Sequence, residues 1–236
     1  MTLTAHLTTA PTDTAPTDTA SAETAWPVLP ALPASASQQV FRACLGALSR
    51  PGSVHQLPAA DLPASIPAAA LVPLALTDLM APLTGLGRAE GLARRIATAT
   101  GARCVPADRA RFALALDDDH DQLAGLPIGS NWSPELGVLL SQRVAALRQA
   151  QGAESTAQGS EGAEGAEGAA GGALSLTLTG PGIKDSTVIT VAGLSADFFA
   201  ARAELTAEFP TGIDLVLITD DRTMIGLPRT TRIEVG

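Results

Sequence analysis

Four consecutive residues near the C-terminus, Arg229, Thr230, Thr231 and Arg232, place two guanidinium groups beside two hydroxyls. A guanidinium offers fork-like N–H donors that match phosphate or carboxylate oxygens, so this segment could hold an anion. The same four residues would serve equally as surface or interface side chains. Gly180-Pro181-Gly182 is a second candidate, because glycines in a turn let backbone N–H groups form a concave anion nest. A phosphate loop needs its glycines to feed a helix N-terminus, and neither GxGxxG nor GK[ST] is present. The run after this turn reads as a strand, which favours a tight hairpin. Arg229, Thr230, Thr231, Arg232, Gly180 and Gly182 are therefore the candidate ligand-binding residues, and no catalytic residue is assigned.

The other reactive side chains point to less. Lys184 is the only lysine, so any Schiff-base chemistry with pyridoxal phosphate would have to use it. It sits beside Asp185 in a polar turn, with no apolar surroundings to depress its pKa. His6, His55 and His120 show no HExxH or other close ligand pairing, and no metal site is assigned. The acidic run at 117–121 lacks the regular spacing and central glycine of a calcium loop and reads as a solvated turn. No GxSxG elbow occurs. Cys44 and Cys104 have no CxxC partner and read as buried structural thiols in a reducing, cytoplasmic setting. No cofactor is implied by these residues.

Composition narrows the partners. A net charge of -9 argues against nonspecific binding to nucleic acid or an anionic membrane, both of which need a cationic surface. No apolar run approaches the roughly 20 residues that span a bilayer, and the N-terminus lacks the basic and apolar regions of a secretory signal. Aromatics are 3% of residues and tyrosine is absent, so Leu, Val, Ile and Ala must build the core.

The elements that position the candidates follow from periodicity and punctuation. Residues 1–36 are Thr/Ala/Pro-rich, repeat APTDT twice, and read as a disordered tail. Ser37 is placed to cap a helix with Val40, Phe41, Cys44, Leu45 and Leu48 on one face, stopped at Pro51-Gly52. A short strand is expected over 53–57, a helix over 68–80 with Pro73 kinking it or delaying its start, and a helix over 88–100 ended by Gly101. Strands are expected over 103–105, 111–116 and 137–147. The tract at 148–172 contains EGAEGAEGAAGG and reads as a flexible insertion. Strands over 174–179 and 186–191 flank the GPG turn. Ser195 caps a helix reaching about Glu208. A hairpin then runs over 213–219 and 223–227, closed by Asp220-Asp221-Arg222 and stopped at Pro228. The whole is one α/β domain over 37–236, a mixed β-sheet with helices packed on it.

Five segments carry a resemblance. FRACLGALSRPG at 41–52, WSPELGVLL at 132–140, LTLTGPGI at 176–183, FPTGIDLVLI at 209–218 and LPRTTRIEV at 227–235 closely resemble the PhnH subunit family of the carbon–phosphorus lyase system. The combination of FPTGIDLVL with LPRTT is the most specific part. The resemblance implies a core-complex subunit that works with G, I and J subunits in organic phosphonate catabolism. With an accessory ATP-binding subunit, that complex is associated with forming α-D-ribose 1-methylphosphonate 5-triphosphate from methylphosphonate and ATP. It further implies a fold like the large domain of pyridoxal-phosphate-dependent transferases without the cofactor site, a homodimer when isolated, and a structural or co-catalytic role. The long N-terminal tail and the 148–172 insertion depart from the family pattern. The competing reading is an autonomous enzyme or binding protein for phosphorylated ribose or nucleotide ligands, acting through Arg229, Arg232 and the GPG turn.

Overall fold

A computed structural model describes residues 27–149 and 172–236. Residues 1–26 of the expected tail and 150–171 of the expected insertion lie outside the described residues. In chain order the elements are α1 (Ala34–Ser49), β1 (Val54–Gln56), α2 (Leu71–Leu76), β2 (Leu83–Gly85), α3 (Glu90–Thr100), β3 (Phe112–Ala115), α4 (His120–Leu123) and β4 (Leu139–Arg143). They continue with β5 (Ala146–Gln149), β6 (Leu174–Thr179), β7 (Thr187–Ala192), α5 (Ala196–Leu205), β8 (Asp214–Ile218), β9 (Thr223–Leu227) and β10 (Arg232–Val235).

The expected mixed sheet is present, but a second sheet accompanies it. The larger has six strands in the order β1-β9-β8-β4-β3-β2, and the smaller has four in the order β10-β6-β7-β5. Strands β2, β3, β4 and β8 are mutually parallel neighbours, β9 folds back on β8, and β1 adds antiparallel to β9. All pairings in the smaller sheet are antiparallel.

The period-two alternation of strand side chains divides the core between the two faces of the larger sheet. Val216, Ile218 and Met224 join Val40, Cys44 and Ala47 of α1, Leu71 of α2, and Leu92 and Ile96 of α3. Leu215, Leu217 and Ile225 join Leu176, Leu178, Ile189 and Val191 of the smaller sheet and Phe198 of α5. Because both faces are covered, β8 and β9 read as near-continuous apolar runs rather than as alternating strands.

Several local expectations are corrected. Helix α1 begins at Ala34 after Pro33, and Ser37 lies inside it, donating its backbone N–H to the Pro33 carbonyl at 3.0 Å. Its buried side is Ala36, Val40, Cys44 and Ala47, while Phe41 and Leu45 face outward. The small residues face in because α1 lies almost on the backbone of β9. A Cβ on Gly226 would come within 2.5 Å of the Ala47 carbonyl carbon. Pro73 falls in the first turn of α2, where a helix does not need the missing N–H, so it neither kinks nor ends the helix. Residues 103–105 form only a bridge, Cys104 to the unanticipated β2 at Leu83. Cys44 is buried as expected, but Cys104 is exposed.

The expected single strand over 137–147 is two strands in different sheets. Val144 donates its N–H to Ile218 of the larger sheet at 2.9 Å, and Ala145 donates to Ala192 of the smaller at 2.8 Å. Two successive amides thus carry the chain from one layer to the other. The C-terminal segment does the same: β9 belongs to the larger sheet, and β10, which was not anticipated as a strand, pairs with β6 in the smaller. The acidic run is not simply a solvated turn. Asp118 accepts the backbone N–H of Ser195 at 2.8 Å and contacts His120 at 3.0 Å, tying α4 to the start of α5. Asp117 pairs with Arg88. Ser195 does cap α5, accepting the Phe198 N–H. Among the described residues, no helix is long and apolar enough to cross a membrane.

Candidate functional site

The segment between β9 and β10 passes over the C-terminal half of α5 and meets the turn after β6. A cavity of about 710 Å³ opens there, lined by Gly180, Arg202, Phe209, Arg229, Thr231 and Arg232 among others. The structure therefore brings together five of the six candidate residues, since Thr230 also lines it. The approach of the two loops is close. A Cβ on Gly180, whose φ is +131°, would stand 2.7 Å from the Thr230 carbonyl oxygen. Gly182 is placed elsewhere, against the Ser49 carbonyl and Pro51 at the end of α1.

The two arginines of the segment differ. Arg229 is half-buried and already bound within the protein. Its Nη2 meets Asp214 Oδ2 at 2.6 Å, its Nε donates to Asp214 Oδ1 at 3.2 Å, and its Nη1 donates to the Pro134 carbonyl at 2.6 Å. Gly137 leaves room for this guanidinium, since a Cβ there would lie 2.9 Å from both terminal nitrogens. Arg229 thus fastens the 134–137 turn and the entry to β8 onto the exit from β9. Arg232 opens β10 and is exposed.

The floor of the cavity is a residue that sequence reasoning missed. Arg202 of α5 is 2% exposed and is the largest fully buried side chain among the described residues. Its Nη2 donates to the carbonyls of Pro228 at 2.7 Å and Leu227 at 3.2 Å, and its Nη1 donates to Thr231 at 3.3 Å. Three backbone acceptors therefore fix the loop that carries the candidates. Burial pushes the Arg202 pKa down to about 10, with Asp214 acting in the opposite direction, so the group remains cationic at neutral pH. Its Nε and the Thr231 hydroxyl are both buried without a hydrogen-bond partner among the described residues. A signal for Arg202 exists in the sequence: it stands four and three residues after Phe198 and Phe199, on the face that α5 buries.

Arg202 and Thr231 thus line a cavity with a cation beneath it, their unpaired Nε and hydroxyl buried below its surface, and Phe199 and Phe209 lie along its apolar side. Its chemistry suits an oxyanion attached to a larger group. A second, smaller cleft of about 340 Å³ lies where β3, β4 and β8 end, lined by Arg88, Arg143 and Asp220. Both of its arginines are paired with aspartates, Arg88 with Asp117 and Arg143 with Asp220. Lys184 sits exposed in the turn after Gly182, outside both cavities. Among the described residues, no three His, Cys, Asp or Glu side chains gather to hold a metal ion.

Comparison with known proteins bears on the whole chain rather than on the cavity alone. The family described as bacterial phosphonate metabolism protein (PhnH) matches residues 31–234. A protein of Stutzerimonas stutzeri named "Putative C-P lyase subunit protein HtxG" is 33% identical over 207 residues, covering 86% of this chain and 88% of that protein. A Rhizobium meliloti protein named "Alpha-D-ribose 1-methylphosphonate 5-triphosphate synthase subunit PhnH" is 32% identical over 211 residues, covering 86% of this chain and 92% of that one. The match spans both sheets and every element from α1 into β10, including the loop that Arg202 holds. The chain belongs to the PhnH family of bacterial phosphonate metabolism proteins.

Proposed function

We propose that this chain is a subunit of a carbon–phosphorus lyase complex in organic phosphonate catabolism. In that complex it works with G, I and J subunits in forming α-D-ribose 1-methylphosphonate 5-triphosphate from methylphosphonate and ATP. The observation that carries this reading is the near full-length match to two relatives named as subunits of such systems. Its role is structural or co-catalytic, in the cytoplasm, with a homodimer as the isolated form. The parallel run β2-β3-β4-β8 with helices on it supports the proposed kinship with the large domain of pyridoxal-phosphate-dependent transferases.

Within that role the cavity over Arg202 is the ligand site. Thr230 and Arg232 supply polar groups at its wall, Arg202 and Thr231 lie beneath with an unpaired N–H and hydroxyl that a ligand would have to uncover, and Gly180 allows the close approach of the two loops. Arg229 contributes by holding the segment in place rather than by offering a free guanidinium. Deleting the gene should abolish growth on methylphosphonate as the only phosphorus source and leave growth on phosphate intact, with the wild-type gene restoring it. Undiminished growth of the deletion strain on methylphosphonate would refute the assignment.

A further inference from the structure

Strand β10 is an edge of the smaller sheet, paired on one side with β6. Its other side can be read from the ladder. Gly236 donates its N–H to Ser175 at 2.9 Å, continuing the register of Val235 with Leu176. Antiparallel strands bond through alternate residues, so Arg232 and Glu234 direct their amides to β6, and Ile233 and Val235 direct theirs outward. Among the described residues no other backbone group bonds to that outer side. The remaining edges offer less. The bridge of Leu83 to Cys104 partly covers β2, β1 is three residues long, and β5 runs into residues outside the described ones. An open edge is a template for pairing with another strand.

The side chains of β10 select the occupant. Arg232 and Glu234 share one face of the strand, and Ile233 and Val235 share the other. Arg232 and Glu234 are exposed, and neither has an ion-pair partner among the described residues. Ile233 is half-buried against the core between the sheets, while Val235 is 41% exposed. An identical strand laid antiparallel on the open side must bond through Ile233 and Val235. Centred on Ile233, the pairing sets Arg232 across from the partner's Glu234, and Glu234 across from the partner's Arg232. That gives two opposite-charge pairs on one face, with Ile233 meeting the partner's Ile233 on the other. Centred on Glu234, it would set that carboxylate against its own equivalent, and directly opposed like charges are destabilising. Centred on Val235, it would join only the strand ends. The strand is therefore complementary to itself in one register, as a two-fold interface requires.

We infer that two copies of this chain join through β10, antiparallel and centred on Ile233, so that their two four-stranded sheets become one. The inference rests on the homodimer reading above and names the surface and the register that serve it. Arg232 and Ile233 also line the cavity over Arg202. The second copy therefore borders that cavity, and the partner's Glu234 holds its exposed arginine.

The test is sedimentation velocity of the full chain over a concentration series. The wild type should form a dimer. Arg232→Glu and Glu234→Arg should each weaken it by about 30-fold or more, because each turns two opposite-charge pairs into two like-charge pairs. The double variant Arg232→Glu/Glu234→Arg should recover the dimer, and an equimolar mixture of the two single variants should form a heterodimer. Circular dichroism and thermal melts confirm that each variant is folded. A dimer that both single variants retain would overturn the inference while leaving the homodimer reading standing. Loss in the single variants without recovery in the double variant or the mixture would overturn the register, and the inference with it. Single variants that still dimerise but no longer capture the G, I and J subunits would give the edge to another subunit and overturn the proposed occupant. A wild-type chain that stays monomeric would overturn the homodimer reading and this inference together.

Discussion

Asp214 and Arg229, fifteen residues apart on either side of the β8–β9 hairpin, are joined three times. Asp214 Oδ2 meets Arg229 Nη2 at 2.6 Å, and Oδ1 accepts both Arg229 Nε at 3.2 Å and the Arg229 backbone N–H at 2.8 Å. Asp214 is the first residue of β8, and Arg229 follows Pro228 at the end of β9, so the pair closes the open end of the hairpin. It binds the FPTGID and LPRTT segments to each other chemically.

Breaking that closure should destabilise the protein more than loss of a surface ion pair would. Asp214→Asn keeps the shape but leaves a half-buried guanidinium without its charge partner. A loss of about 2–3 kcal/mol in unfolding free energy is expected. Urea denaturation followed by circular dichroism measures it. A change below about 0.5 kcal/mol would place the pair among ordinary exposed bridges.

Arg202→Met removes a cation bound to three carbonyls and leaves those carbonyls buried. We expect a loss of about 3–5 kcal/mol, with Arg202→Lys recovering only part, because an ammonium cannot reproduce the planar fork. Thermal and urea unfolding of the three proteins gives the comparison. Equal stability of the methionine and wild-type chains would contradict the role assigned to this residue.

Thr231→Val is the sharper probe of the proposed ligand site. An unpaired buried hydroxyl costs about 1–3 kcal/mol, so an isosteric methyl should leave the unliganded protein as stable or about 1 kcal/mol more stable. The same change should weaken binding of ribose 5-phosphate by about tenfold, as one hydrogen bond to a charged group would. Calorimetry on both proteins decides it, and equal affinity would remove Thr231 from the site.

The two thiols should separate in reactivity. Burial pushes Cys44 up to about 12 and raises Cys104 as well, but only Cys104 is open to reagent. Iodoacetamide at pH 8.5 should therefore modify one cysteine in the native chain and both in urea, with peptide mass spectrometry locating the native adduct at Cys104.

The Asp118–His120 contact gives a pH signature. Burial would raise Asp118, but hydrogen bonds from Ser195 and His120 outweigh it and hold the carboxyl below its usual value, so its contribution is lost only in strong acid. His120 is raised, chiefly by its hydrogen bond to Asp118. A raised histidine stabilises fully below its ordinary pKa near 6.5, and that contribution disappears as pH rises through the folded value. The melting temperature should fall from pH 6 to pH 8 more in the wild type than in His120→Gln.

Much of the secondary structure was legible in the sequence. The strands over 174–179 and 223–227 coincide with β6 and β9, and Gly101 stops α3 with a left-handed φ of +75°. What could not be read was the division into two sheets. Residues 137–147 are one apolar run, and only the opposite destinations of the Val144 and Ala145 amides reveal the crossing. The face of α1 was misjudged for a related reason. Phe41 and Leu45 are the larger residues, but contact with Gly226 favours the small side of the helix. At the candidate site, the loop residues and the GPG turn were recognisable by type, while their partners were not. That Arg229 is held by Asp214, and that Arg202 lies beneath, depends on contacts between residues far apart in the chain.

We propose that this chain is an obligate subunit of the phosphonate-processing complex. This is tested most directly by reconstituting the G, I and J subunits with the accessory ATP-binding subunit, methylphosphonate and ATP, with and without the purified chain. Product is followed by phosphorus nuclear magnetic resonance. α-D-Ribose 1-methylphosphonate 5-triphosphate should form only when the chain is present and incorporated into the assembly. Equal product from an assembly that lacks it would show the chain to be dispensable for the reaction.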